Sequence, residues 1–235
     1  MSRSFSVPAI AATTGAVVLM VSGQTGAATT ELSSDGEREA YSLGVVVAAQ
    51  AMSGLGQVDN DAFVAGVADL IGEKDLALDD AQITESLARF EKRHAEEAQA
   101  ALAARIEANR NAGEAFRKSF AEDPEVETLT SGLQYKVLEA GEGEMPRSDE
   151  TVTLHYRSTL IDGREIDSSY TRNEPVTVEV DKVIPGWTEA LTHMAVGSKW
   201  QVVIPPELAY GDLGAGNFIE PGSTVVFEME LISKS

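Results

Sequence analysis

In the C-terminal half of the sequence, three polar side chains that could act on a ligand sit among apolar neighbours: Tyr156, Asp167 and Tyr210. They fall in Val152-Thr153-Leu154-His155-Tyr156, Ile166-Asp167-Ser168-Ser169 and Ala209-Tyr210-Gly211, with Val183-Ile184-Pro185-Gly186-Trp187 and Val225-Val226-Phe227-Glu228 nearby in the chain. Side chains of these types can grip a small apolar group and offer hydrogen bonds at its edge. They include no evident nucleophile with a base beside it. The chain has no cysteine, and its histidines, His94, His155 and His193, are scattered. Neither a thiolate nor a histidine-rich metal site is therefore expected, and no cofactor is implied.

The elements that must position these residues read as strands around one short helix. Thr151 to Ser158 alternates, with Val152, Leu154 and Tyr156 on one face and Thr153, His155 and Arg157 on the other. His155 thus falls on the polar face, where a structural role is expected. Asp162-Gly163 marks a turn. Leu133 to Val137, Val176-Val178-Val180, Trp200-Val202-Ile204 and Val225-Phe227-Met229-Leu231 are further alternating sets. Gly186 to Met194 can form a short helix with Trp187, Leu191 and Met194 on one face. Antiparallel strands wrapped on a short helix make an α+β domain, placed at residues 124–235.

The preceding half reads as helical. Residues 37–55 and the stretch after Asp59-Asn60-Asp61 carry apolar residues over wide faces, with Gly54 and Gly56 as a stop between them. Helices so short cannot bury such faces alone, so residues 29–78 are expected to pair with a second subunit. Residues 79–123 contain one glycine and no proline, and apolar positions recur at helical steps from Ile83 to Phe120. Asp79-Asp80 supplies a start and Asp123-Pro124 a stop. The Ala-, Glu- and Arg-rich middle, residues 91–110, is read as a solvated spacer, with Glu97 lacking a cation at Ala101 and His94 at the edge of the stripe. The excess of 38 acidic over 18 basic residues gives a formal charge of −20. That argues against nucleic acid or an anionic membrane surface as partner, since both need a basic footprint. Residues 1–28 carry Arg3, an apolar run from Ile10 to Val21 and small residues at Gly26-Ala27-Ala28. That is the pattern of a cleaved export signal, too short for a membrane anchor, and it places the mature chain in the periplasm or outside the cell.

The order and content of these motifs resemble the FKBP family of peptidyl-prolyl isomerases. Ala40-Tyr41-Ser42-Leu43-Gly44, Asn111-Ala112-Gly113-Glu114-Ala115-Phe116 and Ser131-Gly132-Leu133-Gln134-Tyr135 extend the resemblance to the Mip-like (macrophage infectivity potentiator) subfamily. The resemblance implies an intertwined homodimer of the N-terminal helices and a long helix carrying the isomerase domain. It places Tyr156 at the pocket wall, Asp167 at its edge, Val183 and Ile184 at its flank, Trp187 as its floor and Phe227 closing one side. The Ile184 N–H would donate to a substrate carbonyl, and the Tyr210 hydroxyl would face the bound peptide backbone. Ile166, Val176, Phe218 and Ile219 complete the implied substrate contacts. Core packing is the competing role for each aromatic, and it is the role assigned to Trp200, Phe116 and Phe120. Two residues depart from the family pattern: Ile166 stands where most members have phenylalanine, and Glu220 where a proline is usual.

Peptide-bond rotation meets a barrier of ~18–20 kcal/mol because resonance is lost. A dry apolar pocket that holds the twisted X–Pro amide better than either planar form lowers it without proton transfer or covalent chemistry. The function implied is isomerisation of proline-containing, unfolded or partly folded exported proteins, in a pocket that macrolide inhibitors of the family would also occupy. A non-enzymatic chaperone that only binds such chains is the alternative. An adaptor built on the long helix would leave the aromatic set without a purpose.

Overall fold

The computed structural model describes residues 31–52 and 58–235. The expected export signal and the Gly54/Gly56 stop lie outside them. The described residues fall into two units, divided between Asp59 and Asn60.

In the first unit, α1 runs over Asp35–Met52 and buries none of its residues. Tyr41, Leu43, Val45, Val46 and Val47 all stand exposed on it. In the second unit, α2 (Asn60–Ile71) likewise buries nothing and exposes Val64, Val67, Leu70 and Ile71. The next helix, α3 (Asp80–Phe120), is unbroken over 41 residues, or roughly 60 Å at ~1.5 Å per residue. Asp79 closes a capping box, accepting from the Gln82 N–H at 2.8 Å while the Gln82 side chain accepts from the Asp79 N–H at 3.0 Å. Arg117 and Lys118 occupy the last turn, where positive charge suits the helix dipole.

Two details of this helix differ from the sequence reading. Glu96 and Glu97 find their cations one turn back, at Lys92 and Arg93, both at 3.9 Å. The expected solvated spacer is also shorter than residues 91–110, because Ile106, Asn109 and Arg110 are half-buried against the C-terminal domain.

That domain is one antiparallel sheet: β1 (Val126–Thr128), β2 (Gln134–Glu139), β3 (Thr151–Leu160), β4 (Glu165–Ser168), β5 (Val176–Glu179), β6 (Lys199–Ile204) and β7 (Val225–Lys234). The order is β1-β2-β6-β7-β3-β4, with β5 also pairing β3. The long β3 lies along the whole of β7 and divides its other edge, giving Thr151–Leu154 to β5 and Arg157–Thr159 to β4. The one short α-helix of the domain, α4 (Pro185–His193), has proline at its first position, where a missing N–H costs nothing. It buries Trp187, Ala190 and Leu191 in a core with Leu154, Val202, Ile204, Val225, Phe227 and Met229. Trp200 is buried and stacks on Tyr135 at 4.0 Å between centroids. Phe116 and Phe120 stack on each other along α3 at 6.3 Å.

Leu191 has no exposed surface. Leu191→Ala should cost about 2–5 kcal/mol by lost burial and the cavity left, read as a lower urea midpoint in tryptophan fluorescence. A loss below about 1 kcal/mol would mean that α4 is not part of the cooperative core.

Candidate functional site

Strand alternation and pairing assemble the site. Tyr156 and Ser158 are two apart on β3 and share a face. Ser158 pairs with Phe227 on β7, so all three side chains leave the sheet on the same side. Trp187, from the first turn of α4, comes down between them. Its ring meets Tyr156 edge-on at 5.1 Å and Phe227 at 5.4 Å, with interplanar angles of 73° and 84°. These are the geometries in which a positive ring edge meets a negative ring face.

The cleft around them has a volume of about 600 Å³. It is lined by Tyr156, Ile166, Asp167, Val183, Ile184, Trp187, Tyr210, Phe218, Ile219 and Phe227. All but one of the site residues expected from the sequence are therefore brought together. Val176 is the exception: it pairs with Leu154 on β5 and packs against the core rather than lining the cleft. Alternation along β5 turns it toward the core, where it pairs with Leu154, one same-face step along β3 from Tyr156. Ser158, Lys182, Ala215 and Gly216 join the lining without having stood out in the sequence. The first could have been found by stepping two residues on from Tyr156; Lys182 ends a short 3-10 helix and Ala215 and Gly216 lie in the β6–β7 loop, where no periodicity points to them.

The rim is closed by a polar triangle. The Tyr156 hydroxyl donates to one oxygen of Asp167, and the Arg172 guanidinium pairs with the other. A second Arg172 nitrogen reaches the Tyr156 hydroxyl at 3.2 Å, and the guanidinium lies 5.9 Å from the Tyr156 ring centre. The Ser168 N–H adds a bond to Asp167 at 2.8 Å. Partial burial pushes the Asp167 carboxyl up, but the donors from Tyr156, Arg172 and Ser168 outweigh it and hold the group below its ordinary range. Tyr156 and Tyr210 are both pushed up, first by desolvation and then by the negative Asp167. The carboxylate is thus fully engaged at neutral pH, and no free base faces the cleft. His155, on the other face of β3, bonds to Ser169 Oγ at 2.9 Å and stacks on Tyr170 at 4.7 Å.

At the cleft's flank Ile184 caps α4, its carbonyl accepting from Trp187 at 2.9 Å. Among the described residues nothing accepts from its own N–H. Opposite, Phe218 is 71% exposed while the adjacent Ile219 is 5% exposed, so one side chain stands at the mouth and the other in the wall.

Two family models match this chain. That for FKBP-type peptidyl-prolyl cis-trans isomerase covers residues 142–232. That for the domain amino-terminal to FKBP-type peptidyl-prolyl isomerase covers residues 36–137. FkpA of Escherichia coli K12, an FKBP-type peptidyl-prolyl cis-trans isomerase, is 42% identical over 205 residues, which span 84% of this chain and 75% of that protein. Outer membrane protein MIP of Legionella longbeachae is 36% identical over 204 residues, 87% of this chain and 88% of that protein. The crystal structure of E. coli FkpA superposes with a TM-score of 0.76 at 41% identity, covering 86% of this chain and 98% of that one. With an apolar cleft floored by Trp187, a carboxylate already spoken for and likeness along nearly its whole described length, this chain belongs to the FKBP-type peptidyl-prolyl cis-trans isomerases.

Proposed function

We propose that the protein is an exported, dimeric isomerase that speeds proline-limited folding of other exported proteins, and that the cleft on the sheet is where it acts. The observation that carries the reading is an aromatic cleft whose single carboxylate is already hydrogen-bonded by Tyr156 and ion-paired with Arg172. Such a site has nothing with which to attack an amide, and much with which to desolvate one. A proline ring would rest on Trp187 between Tyr156 and Phe227. The Ile184 N–H would take the carbonyl that follows proline, and Tyr210 would donate to the peptide backbone. Val183, Ile166, Phe218 and Ile219 would hold the proline and the residue before it. Removing water from the carbonyl raises the energy of the planar, charge-separated amide relative to the twisted one, which is the differential binding catalysis requires.

In this reading residues 29–78 pair two copies, residues 79–123 connect, and residues 124–235 carry the isomerase. The support for pairing is that α1 and α2 leave their apolar side chains uncovered within one chain. Support for export is the pattern of residues 1–28, together with a relative named as an outer membrane protein. Among the described residues no helix is long and apolar enough to cross a membrane. Chaperone-like holding of unfolded chains would be an accompanying activity rather than a replacement for catalysis.

On short X-Pro-Phe peptides the full chain should accelerate cis-to-trans conversion, and Tyr156→Ala should lower kcat/KM at least about ten-fold, or ~1.4 kcal/mol of transition-state binding. Undiminished acceleration in the variant would remove the cleft from the mechanism; no acceleration by the parent chain would leave only the holding activity.

The profile of kcat/KM should be flat from about pH 5 to pH 9, since Asp167 is held low and both tyrosines high. A carboxyl with a depressed folded-state pKa stabilises the fold above its unfolded value, and loses that contribution as pH falls through the folded one. Activity should therefore drop only on the acid side of about pH 4. An ionisation near neutrality that controls the rate would show a working base and overturn the desolvation mechanism.

Sedimentation should give twice the mass of one chain, and Val46→Asp or Leu70→Asp should shift it toward one. A monomeric parent protein would end the dimer reading.

A further inference from the structure

We infer that Arg110 and Asn109 of α3 are positioning residues for the isomerase pocket, because they clamp the neck of the loop that supplies one of its walls. Twenty residues separate Ile204 at the end of β6 from Val225 at the start of β7, although these two strands are neighbours paired in the sheet. A connection that long between adjacent strands is far beyond ordinary hairpin length and needs contacts outside itself to hold one shape. It contains Tyr210, Ala215, Gly216, Phe218 and Ile219, which all line the cleft.

The loop closes on itself at two levels. Gly222 N–H donates to the Gly211 carbonyl at 2.9 Å, making a neck, and Ala215 and Ile219 exchange bonds of 2.9 and 3.1 Å at the head. What sits against the neck is one face of α3: Ile106, Asn109, Arg110 and Gly113, spaced three, four and seven apart as one helical face requires. Arg110 forks across the incoming strand of the loop, pairing with Glu207 through one nitrogen and with Asp212 at 2.8 and 3.1 Å through two others. Asn109 reaches the outgoing strand, donating to the Pro221 carbonyl at 2.9 Å and to Glu220 at 3.3 Å.

Close approach makes the fit specific. A Cβ at Gly113 would lie 2.2 Å from Thr224 Oγ1, and one at Gly222 would lie 2.8 Å from the Ile106 carbonyl. At Gly222 the loop backbone touches the helix backbone, and at Gly113 the helix backbone touches the Thr224 side chain, so a side chain at either glycine would force helix and loop apart. Both strands of the neck are thus fixed to the same two turns of one helix, and the wall carrying Phe218 and Ile219 inherits its position from them. Neither Arg110 nor Asn109 lines the cleft, so each acts only through the loop.

The inference rests on the cleft being the isomerase site, and the experiment separates the two. In the full chain, Arg110→Ala, Arg110→Lys and Asn109→Ala are compared with the parent for kcat and KM on Leu-Pro-Phe and Ala-Pro-Phe peptides, and for amide exchange, well below the unfolding temperature. Arg110→Ala should lower kcat/KM about five-fold, the scale of a well-made exposed ion pair, mainly through KM, and should change the Leu/Ala preference. Exchange of residues 212–220 should quicken while that of β3 and α4 stays as in the parent. Arg110→Lys, which cannot fork, should recover only part of the loss. Parental kcat/KM, preference and loop exchange in both alanine variants, with only a lower melting point, would overturn the positioning role. If Arg110→Ala does not fold, Asn109→Ala decides by the same readouts. A parent chain without activity would sink the isomerase reading, and the exchange of residues 212–220 would still decide the clamp.

Discussion

The site depends on one contact set: the indole of Trp187 meeting Tyr156 on β3 and Phe227 on β7 edge-on. It ties the only α-helix of the C-terminal domain to the middle of the sheet. The indole is buried by these contacts yet still contributes to the lining of the cleft. Everything around the cleft follows from keeping those three rings in register. Ser158 pairs directly with Phe227, which sets Tyr156 beside it, and Pro185 starts α4 where its second turn can bury Leu191. The small Ser158 between two aromatics gives the cleft its depth.

Polar groups in this setting are expensive unless satisfied, and their treatment explains the chemistry. Asp167 has donors on both oxygens, so its charge is stabilised but unavailable. Tyr156 spends its proton on that carboxylate and becomes a rigid wall. Tyr210 is different: its hydroxyl makes no recorded bond among the described residues, although desolvation already presses on it. Tyr210 lines the cleft with an unspent donor, whereas the Tyr156 hydroxyl is held by Asp167 and Arg172. Two tyrosines of the same type thus carry opposite assignments through their surroundings.

Strand periodicity made most of this legible. Alternation in Thr151–Ser158 placed Tyr156 inward and His155 outward, and the structure agrees on both. The short helix and its buried face were equally plain. Three things were not. Val176 carries an inward-facing apolar pattern, but pattern gives the face of a strand and not its place along β3; it pairs with Leu154, one same-face step before Tyr156, and packs into the core. Arg172 sits in a turn five residues after Asp167, where nothing periodic marks a partner. The contact face of α3 contains Asn109, Arg110 and Gly113, which a hydrophobicity pattern reads as solvated; it packs through backbone proximity and ion pairs instead. Burial by apolar side chains is written in a sequence, while burial by the lack of a side chain is written only as a glycine.

The two departures from the family pattern then have different consequences. Ile166 does line the cleft and packs against the core. An aliphatic side chain there is shorter than an aromatic ring and branched close to the backbone. It leaves this part of the lining apolar while presenting less surface than a ring would. Glu220 puts a charge where the family usually has proline, next to the wall residue Ile219. Its carboxylate is drawn toward Asn109 on α3, and it is absent from the lining, while its neighbour Ile219 turns inward. The loop can carry a charge at that position because the helix beside it offers a donor on the side away from the cleft. A substitution that the domain alone would have to tolerate is absorbed by the element that precedes it.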